Sequence, residues 1–319
     1  MRAVVYTKYG SPDELRLTDV PTPEPQGTQV VVKLHAVSLN RSDWECLQGK
    51  PLYARIGGLR RPKRRILGSD IAGRVEAVGP DVTGVEVGDE VFADILDSMG
   101  GFAEFACVAE RVLEPMPTGL SYEEAACLPQ AGAIALQGIH ERAKAGQHVL
   151  INGGGGGAGM YAIQLAKLAG AEVTAVDNAE KLDFMRSLGA DHVIDYERED
   201  FTRGGREYDL ILDMVGHRSV RVYRRALKPG GRYLFVGGSV NVLLRVLVSG
   251  LVPARRRGKK LRVLGVRLGA KHVTALVELI GDGTITTHID RRFDLDEVPD
   301  ALRYLGEGHV KGKVVVTIA

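Results

Sequence analysis

Five consecutive glycines, Gly153 to Gly157, followed by Ala158 and Gly159, stand between the apolar run Val149-Leu150-Ile151 and a stretch with helical periodicity. Gly154, Gly156 and Gly159 fit the spacing G-x-G-x-x-G. Between a strand and a helix that spacing assigns tasks: Gly154 the tight turn, Gly156 a backbone that a pyrophosphate can approach, Gly159 close packing of the helix. Gly157 and Ala158 open the helix, whose first N–H groups lack intrahelical acceptors and whose dipole favours anions. The pattern alone is permissive, because five glycines match several spacings and also describe a flexible loop. Its setting narrows it. The next apolar run, Glu172 to Val176, ends at Asp177, where a carboxylate hydrogen-bonds an adenosine ribose. The chemistry implied is hydride exchange with a nicotinamide dinucleotide. Asp177 would repel a 2′-phosphate and so favours NADH. Lys181 could pair with that phosphate, so NADPH is not excluded; an ordinary exposed lysine is the equal alternative.

These residues need a frame. The first third alternates apolar and polar residues in short runs (Met1 to Tyr6, Thr28 to His35, Arg74 to Val78, Glu90 to Ala93) punctuated by turn signals, which predicts an antiparallel, barrel-like β region. From about Ser121 the rhythm changes. Ser121 with Glu124 three residues on forms a capping box ahead of one long helical stretch. Apolar strands then alternate with amphipathic helices through Gly238, which predicts a doubly wound α/β domain, its parallel sheet covered on both faces. The last fifty residues add a helix at His272 to Gly281, another near Pro299 to Gly306, and a strand at Gly312 to Ile318.

The 319 residues suffice for two domains, and a formal charge of +2 gives no global reason to expect nucleic acid as a partner. Cys46, Cys107 and Cys127 are no disulfide framework, which points to a reducing, cytoplasmic setting. No secretory signal is visible at the N-terminus, and the longest apolar run, Val240 to Pro253, is broken by Arg245 and too short to span a bilayer. Two basic clusters, Arg60 to Arg65 and Arg255 to Lys260, read first as solvated loops. The second, beside the apolar run, leaves contact with an anionic membrane open.

The chain resembles the medium-chain dehydrogenase/reductase superfamily over essentially its whole length, closest to its quinone oxidoreductases. The resemblance rests on MRAVVYTKYGSPDELRL, VKLHAVSLNRSDW, LGSDIAGRVEAVGPDVTGVEVGDEVFA, GGFAEFACVAERVLEPMPTGLSYEEAACLPQAGAIALQGI and HVKGKVVVTI, in that order. It implies a GroES-like β domain from residues 1–122 and 269–319, a Rossmann domain at 123–268, and an active site in the cleft. The catalytic zinc ligands of the family's alcohol dehydrogenases fall on Asn40, Ser69 and Ala131, and the four-cysteine lobe is missing, so no metal is expected. By the same resemblance the Asn40 amide meets a substrate carbonyl, unless it serves only its own turn. Asp43 is a structural acceptor. Tyr53 touches substrate or is a plain loop tyrosine. Lys181 and Tyr196 match contacts to an adenosine 2′-phosphate, although Asp177 stands where a small residue is usual. Val215-Gly216 and Val236-Gly237-Gly238 line the cofactor or are simple βα turns. The implied activity is zinc-independent, NAD(P)H-dependent reduction of a small quinone or α,β-unsaturated carbonyl by a homodimer. A zinc-free alcohol dehydrogenase, an enoyl reductase, or a cofactor-bound scaffold with little turnover are the alternatives.

Overall fold

The computed structural model describes residues 1–55, 58–140, 142–251, 258–267, 269 and 272–318. It divides into two compact units, Met1–Ala133 with Leu268–Ala319, and Ile134–Arg267.

The first unit is built on β strands. A small antiparallel pair joins β1 (Arg2–Val5) to β2 (Arg16–Asp19). The main sheet centres on β3 (Gln29–Ser38), whose Val30, Val32 and Leu34 point into the core while Gln29 and Lys33 point out. This is the period-two pattern of a half-buried strand. After β3 comes helix α1 (Arg41–Gln48), then β4 (Asp70–Val78), β5 (Glu90–Asp94), β6 (Phe105–Ala109) and β7 (Leu113–Pro115).

The helical stretch after Ser121 is capped as expected: the Ser121 side chain accepts from the Glu124 N–H, and Glu124 reaches back to Ser121 N–H. It is not one helix, however. α2 (Tyr122–Ala126) stops, and α3 (Pro129–Ala135) starts on a proline that carries no N–H for a continuing helix, so the chain breaks where Pro129 falls. α2 and most of α3 belong with the first unit, which runs past 122 to Ala133. The physical reason is polar as well as apolar: Ser38 Oγ donates to Ala126 O at 2.7 Å, and Gln130 N–H donates to Asp70 Oδ2 at 3.1 Å.

The second unit is a six-stranded sheet, every pair parallel. Its elements are β8 (His148–Asn152), α4 (Gly157–Leu168), β9 (Glu172–Asp177), α5 (Leu182–Ser187), β10 (His192–Asp195), β11 (Tyr208–Asp213), α6 (Val220–Ala226), β12 (Leu227–Phe235), α7 (Val240–Leu251) and β13 (Lys260–Val263). The strand order β10-β9-β8-β11-β12-β13 runs outward in both directions from β8. The chain thus changes direction across the sheet beside β8, the place where open α/β sheets bind ligands. Tyr223 and Tyr233 stack at 4.3 Å between ring centres in its core.

The chain then returns to the first unit with α8 (Thr274–Gly281), β14 (Ile289–Asp294), α9 (Val298–Glu307) and β15 (Lys313–Thr317). β15 adds antiparallel to the end of β3, and the sheet order is β14-β15-β3-β4-β5-β7 with β6 also on β3. Of the second basic cluster, residues 255–257 lie outside the described residues.

Candidate functional site

The glycine loop joins β8 to α4 as its spacing requires, but the tasks are distributed differently from expectation. The turn belongs to Gly153, at φ +90°. A Cβ on Gly154 would come within 2.9 Å of Ala175 Cβ and Met185 Sδ, so Gly154 lets the loop lie flat on β9 and α5. A Cβ on Gly159 would meet the carbonyl oxygens of Gly153 and Gly154 at 2.3 and 2.5 Å, so Gly159 packs the helix against its own loop. A Cβ on Gly156 would meet just Gly153 O, at 3.6 Å, an ordinary contact, so there is room beside this glycine that Gly154, Gly155 and Gly159 lack. That is the position where a phosphate could approach, beside the first turn of α4 with Gly157 and Ala158.

Asp177, at the end of β9, is buried. Its Oδ2 accepts from Gly155 N–H at 3.0 Å and its Oδ1 from Asn178 N–H at 2.9 Å. Lys181, also buried, stands 3.2 Å from the same Oδ1. The two residues whose charges argue for opposite cofactors are thus an ion pair that closes over the loop. Gly155 makes room for it, since a Cβ there would lie 2.5 Å from Lys181 Cδ. Tyr196 donates its N–H to Asp177 O at 3.1 Å and leaves its ring about half exposed.

The later loops meet the same edge. Val236 N–H donates to Asp213 O, Gly216 N–H to Gly237 O, and Ser239 N–H to Gly216 O. This clasp ties Val215-Gly216 to Val236-Gly237-Gly238. Gly238, at φ +128°, has no room for a side chain against the Gly216 backbone. Beneath it lies Asp213, which sequence reasoning missed. Its carboxylate accepts from Asn152 Nδ2 at 2.7 Å, Val215 N–H at 3.1 Å and the Tyr233 hydroxyl at 2.8 Å. Burial raises its pKa and these donors oppose the rise. Glycine loop, Asp177 with Lys181, Tyr196, Val215 and Val236 to Gly238 all sit at the carboxyl ends of the parallel strands.

The first unit holds a separate polar cluster. Asn40 precedes α1, and its backbone N–H donates to Asp43 Oδ2 at 2.8 Å. Its side-chain oxygen accepts from Lys313 Nζ at 2.7 Å and its Nδ2 donates to Ser69 Oγ at 3.4 Å. Gln130 Nε2 donates to Ser69 Oγ at 2.7 Å, and Ser42 Oγ to Gln130 Oε1 at 3.0 Å. Lys313, 4.0 Å from Asp70 Oδ2, is the cation of this buried group. Asp43 takes a second N–H, from Gly68, and burial nevertheless pushes it up to about 6. Asp70 and Asp94 face each other across β4 and β5, and burial raises both. Asp70 Oδ1 and Asp94 Oδ2 have no hydrogen-bond partner among the described residues. Tyr53 lies apart from this cluster. It is exposed over about half its surface, its hydroxyl donates to Glu45 Oε2 at 3.3 Å, and partial desolvation followed by the Glu45 charge pushes it up to about 12.

Asn40, Ser69 and Ala131 offer an amide, a hydroxyl and a methyl, with the Lys313 ammonium already against the amide oxygen. Tetrahedral zinc calls for converging thiolates, imidazoles or carboxylates. This donor set does not fit it, and among the described residues no three His, Cys, Asp or Glu side chains are grouped to hold a metal.

Residues 26–118 match the alcohol dehydrogenase GroES-like domain and residues 188–316 the domain described as zinc-binding dehydrogenase. The chain is 33% identical to the chloroplastic quinone-oxidoreductase QR1 of Triphysaria versicolor, over 99% of this chain and 98% of that one. It is 32% identical to the chloroplastic NADPH-dependent alkenal/one oxidoreductase of Arabidopsis thaliana, over 99% and 79%. A solved quinone oxidoreductase from Coxiella burnetii superposes with a TM-score of 0.89 at 32% identity, covering 100% of this chain and 99% of that one. The chain belongs to the medium-chain dehydrogenase/reductase superfamily, in its quinone-oxidoreductase-like branch, and is an oxidoreductase.

Proposed function

We propose that this oxidoreductase is a zinc-independent, NAD(P)H-dependent reductase of quinones or α,β-unsaturated carbonyls. The observation that carries the reading is the convergence of the glycine loop, the Asp177–Lys181 pair, Tyr196 and the Val215 and Val236–Gly238 loops on one edge of a parallel sheet, where its strand order reverses. That edge suits a dinucleotide, with phosphates over Gly156 and the adenosine ribose toward Asp177. A reduced nicotinamide bound there supplies hydride from its C4.

The chain's own groups do the rest. With no Lewis acid in the donor set, a simple ketone would be poorly polarised. An acceptor that takes hydride conjugately asks less: hydrogen-bond donors that meet charge building on its oxygen. The first unit offers the Asn40 amide, oriented by Lys313 on its oxygen, and the Ser69–Gln130 pair behind it. The names of the relatives from Triphysaria and Arabidopsis, a quinone and an alkenal/one oxidoreductase, support that substrate class. On the cofactor, Asp177 is already engaged by Lys181 and two N–H groups, so neither its grip on a ribose nor its repulsion of a 2′-phosphate acts at full strength. Both NADH and NADPH should be oxidised.

The test is oxidation of each cofactor, side by side, with 1,4-benzoquinone, 9,10-phenanthrenequinone and a simple enone, with and without a zinc chelator. Turnover that survives chelation supports the reading. Loss of turnover on chelation overturns the metal-free mechanism. Binding of both cofactors without oxidation by any acceptor overturns the substrate class.

A further inference from the structure

The charge of this chain is unevenly distributed. Between Asp213 and Glu278 there is no aspartate or glutamate, yet fifteen of the 42 lysines and arginines lie there. Within this stretch α7 buries Val242 and Val246 against the sheet and turns Leu244, Leu247 and Val248 outward, 55%, 51% and 62% exposed, with Val240 on the same face. The spacing i, i+4, i+7, i+8 makes these one apolar stripe. Exposed arginines and lysines accompany it: Arg245 on α7, Arg224 and Arg225 on the neighbouring α6, and Lys260 and Arg262 on β13. These five make no ion pair among the described residues, unlike Arg218 with Asp200 or Lys228 with Asp209.

We propose that this face of the second unit docks on an anionic lipid surface, with the α7 stripe entering the headgroup–acyl boundary and the surrounding cations meeting lipid phosphates. An apolar stripe bordered by cations, with Glu207 at its margin paired to Lys259, is the chemistry such a surface selects. A second copy of the chain is disfavoured, because a two-fold contact would set this cationic face against itself. Nucleic acid is disfavoured too, because the stripe carries aliphatic side chains and no aromatic ring on which a base could stack. Docking goes beyond the reductase reading and is measured without cofactor, so either can fail alone. Their connection is that apolar quinones dissolve in the same lipid phase.

The experiment is sedimentation of the full chain with vesicles of phosphatidylcholine, alone or with about one-third phosphatidylglycerol, at low and high salt. The chain should bind the anionic vesicles, lose much of that binding at high salt, and leave neutral vesicles largely free. L244E/L247E should weaken binding at least tenfold, since it places charge where the stripe enters lipid. Arg224→Gln with Arg225→Gln, which keeps the stripe, should weaken it about fivefold per arginine and keeps the test valid if the first variant misfolds. No preference for anionic over neutral vesicles overturns the proposal. So does tighter binding to polyuridylate than to vesicles. So does an L244E/L247E variant that turns dimer into monomer in the ultracentrifuge while binding vesicles as before.

Discussion

Replacing one glycine at a time separates what the loop needs in order to fold from what it needs in order to bind. In Gly159→Ala the added methyl would sit 2.3 Å from Gly153 O and 2.5 Å from Gly154 O. Both obstacles are backbone, so no rotamer change relieves them, and the loop or the start of α4 must move. Overpacking of this kind costs about 3 kcal/mol, which at about 2.1 cal/mol/K of unfolding entropy per residue lowers the melting temperature by roughly 4–5 °C for a protein of this size. In Gly156→Ala the nearest atom is 3.6 Å away, and φ −89° with ψ 179° suits alanine. Alanine is a poorer N-cap than glycine but loses less entropy on folding, so the net change should stay within about 1 kcal/mol. Its methyl nevertheless occupies the room assigned to the pyrophosphate. Gly156→Ala should therefore melt near wild type while its affinity for NADPH and NADH falls at least tenfold, about 1.4 kcal/mol. Differential scanning fluorimetry gives the first quantity and quenching of intrinsic fluorescence on cofactor titration the second. A Gly156→Ala protein that melts normally and binds both dinucleotides as tightly as wild type would refute the placement of phosphates over this loop.

Three further outcomes are expected. Lys181→Met leaves the buried Asp177 carboxylate without its cation and should cost about 3 kcal/mol, seen as a lower denaturation midpoint; an unchanged midpoint would show the pair to be energetically idle. Asn40→Ala should lower kcat ten- to a hundredfold, roughly the loss of one weakly oriented oxyanion donor, with cofactor affinity unchanged; unchanged kcat removes Asn40 from the mechanism. The buried carboxyls predict a pH effect. Asp43, near 6, and Asp70 and Asp94, also raised, bind protons more tightly folded than unfolded, where carboxyls titrate near 4. Stability that they confer when protonated is thus present at low pH and lost as pH rises from about 4 through the folded values near neutrality. Asp94→Asn should flatten that fall and raise the melting temperature at pH 8 by several degrees; a steeper fall would contradict the assignment.

Much of this was legible in the sequence because it is local. A glycine loop between an apolar run and a helix, an acid at the end of the next strand, and a Ser–Glu box each need only a few neighbouring residues. The break at Pro129 had a local signal, a proline inside a helical pattern, but the apolar periodicity on either side of it read as one helix. Pairings across the chain were not legible. Asp213 meets Asn152 across 61 residues, and nothing near it marks it as an anchor. Lys313 begins a strand as many solvent-facing lysines do, yet it is buried against a side chain 273 residues earlier. The Asp177–Lys181 pair had a signal, opposite charges four apart. Reading each charge against an absent phosphate hid the simpler partner, which was the other residue.

That distance between Asn40 and Lys313 bears on how the molecule is made. β3, β4 and α1 leave the ribosome early and bring Asp43 and Asp70 together, but the ammonium that faces them arrives on β15, after the whole parallel-sheet unit has been translated. Until then the early segment holds two carboxyls with no cation and a β3 edge with no neighbour at Ala36 to Ser38. The Asn40 amide is oriented by a strand translated after that unit, so on the reading proposed above a nascent chain holds the residues of its dinucleotide-binding half before it holds all of those of its acceptor half. Shortening the chain ahead of Lys313 should therefore abolish reduction while leaving the parallel sheet able to form.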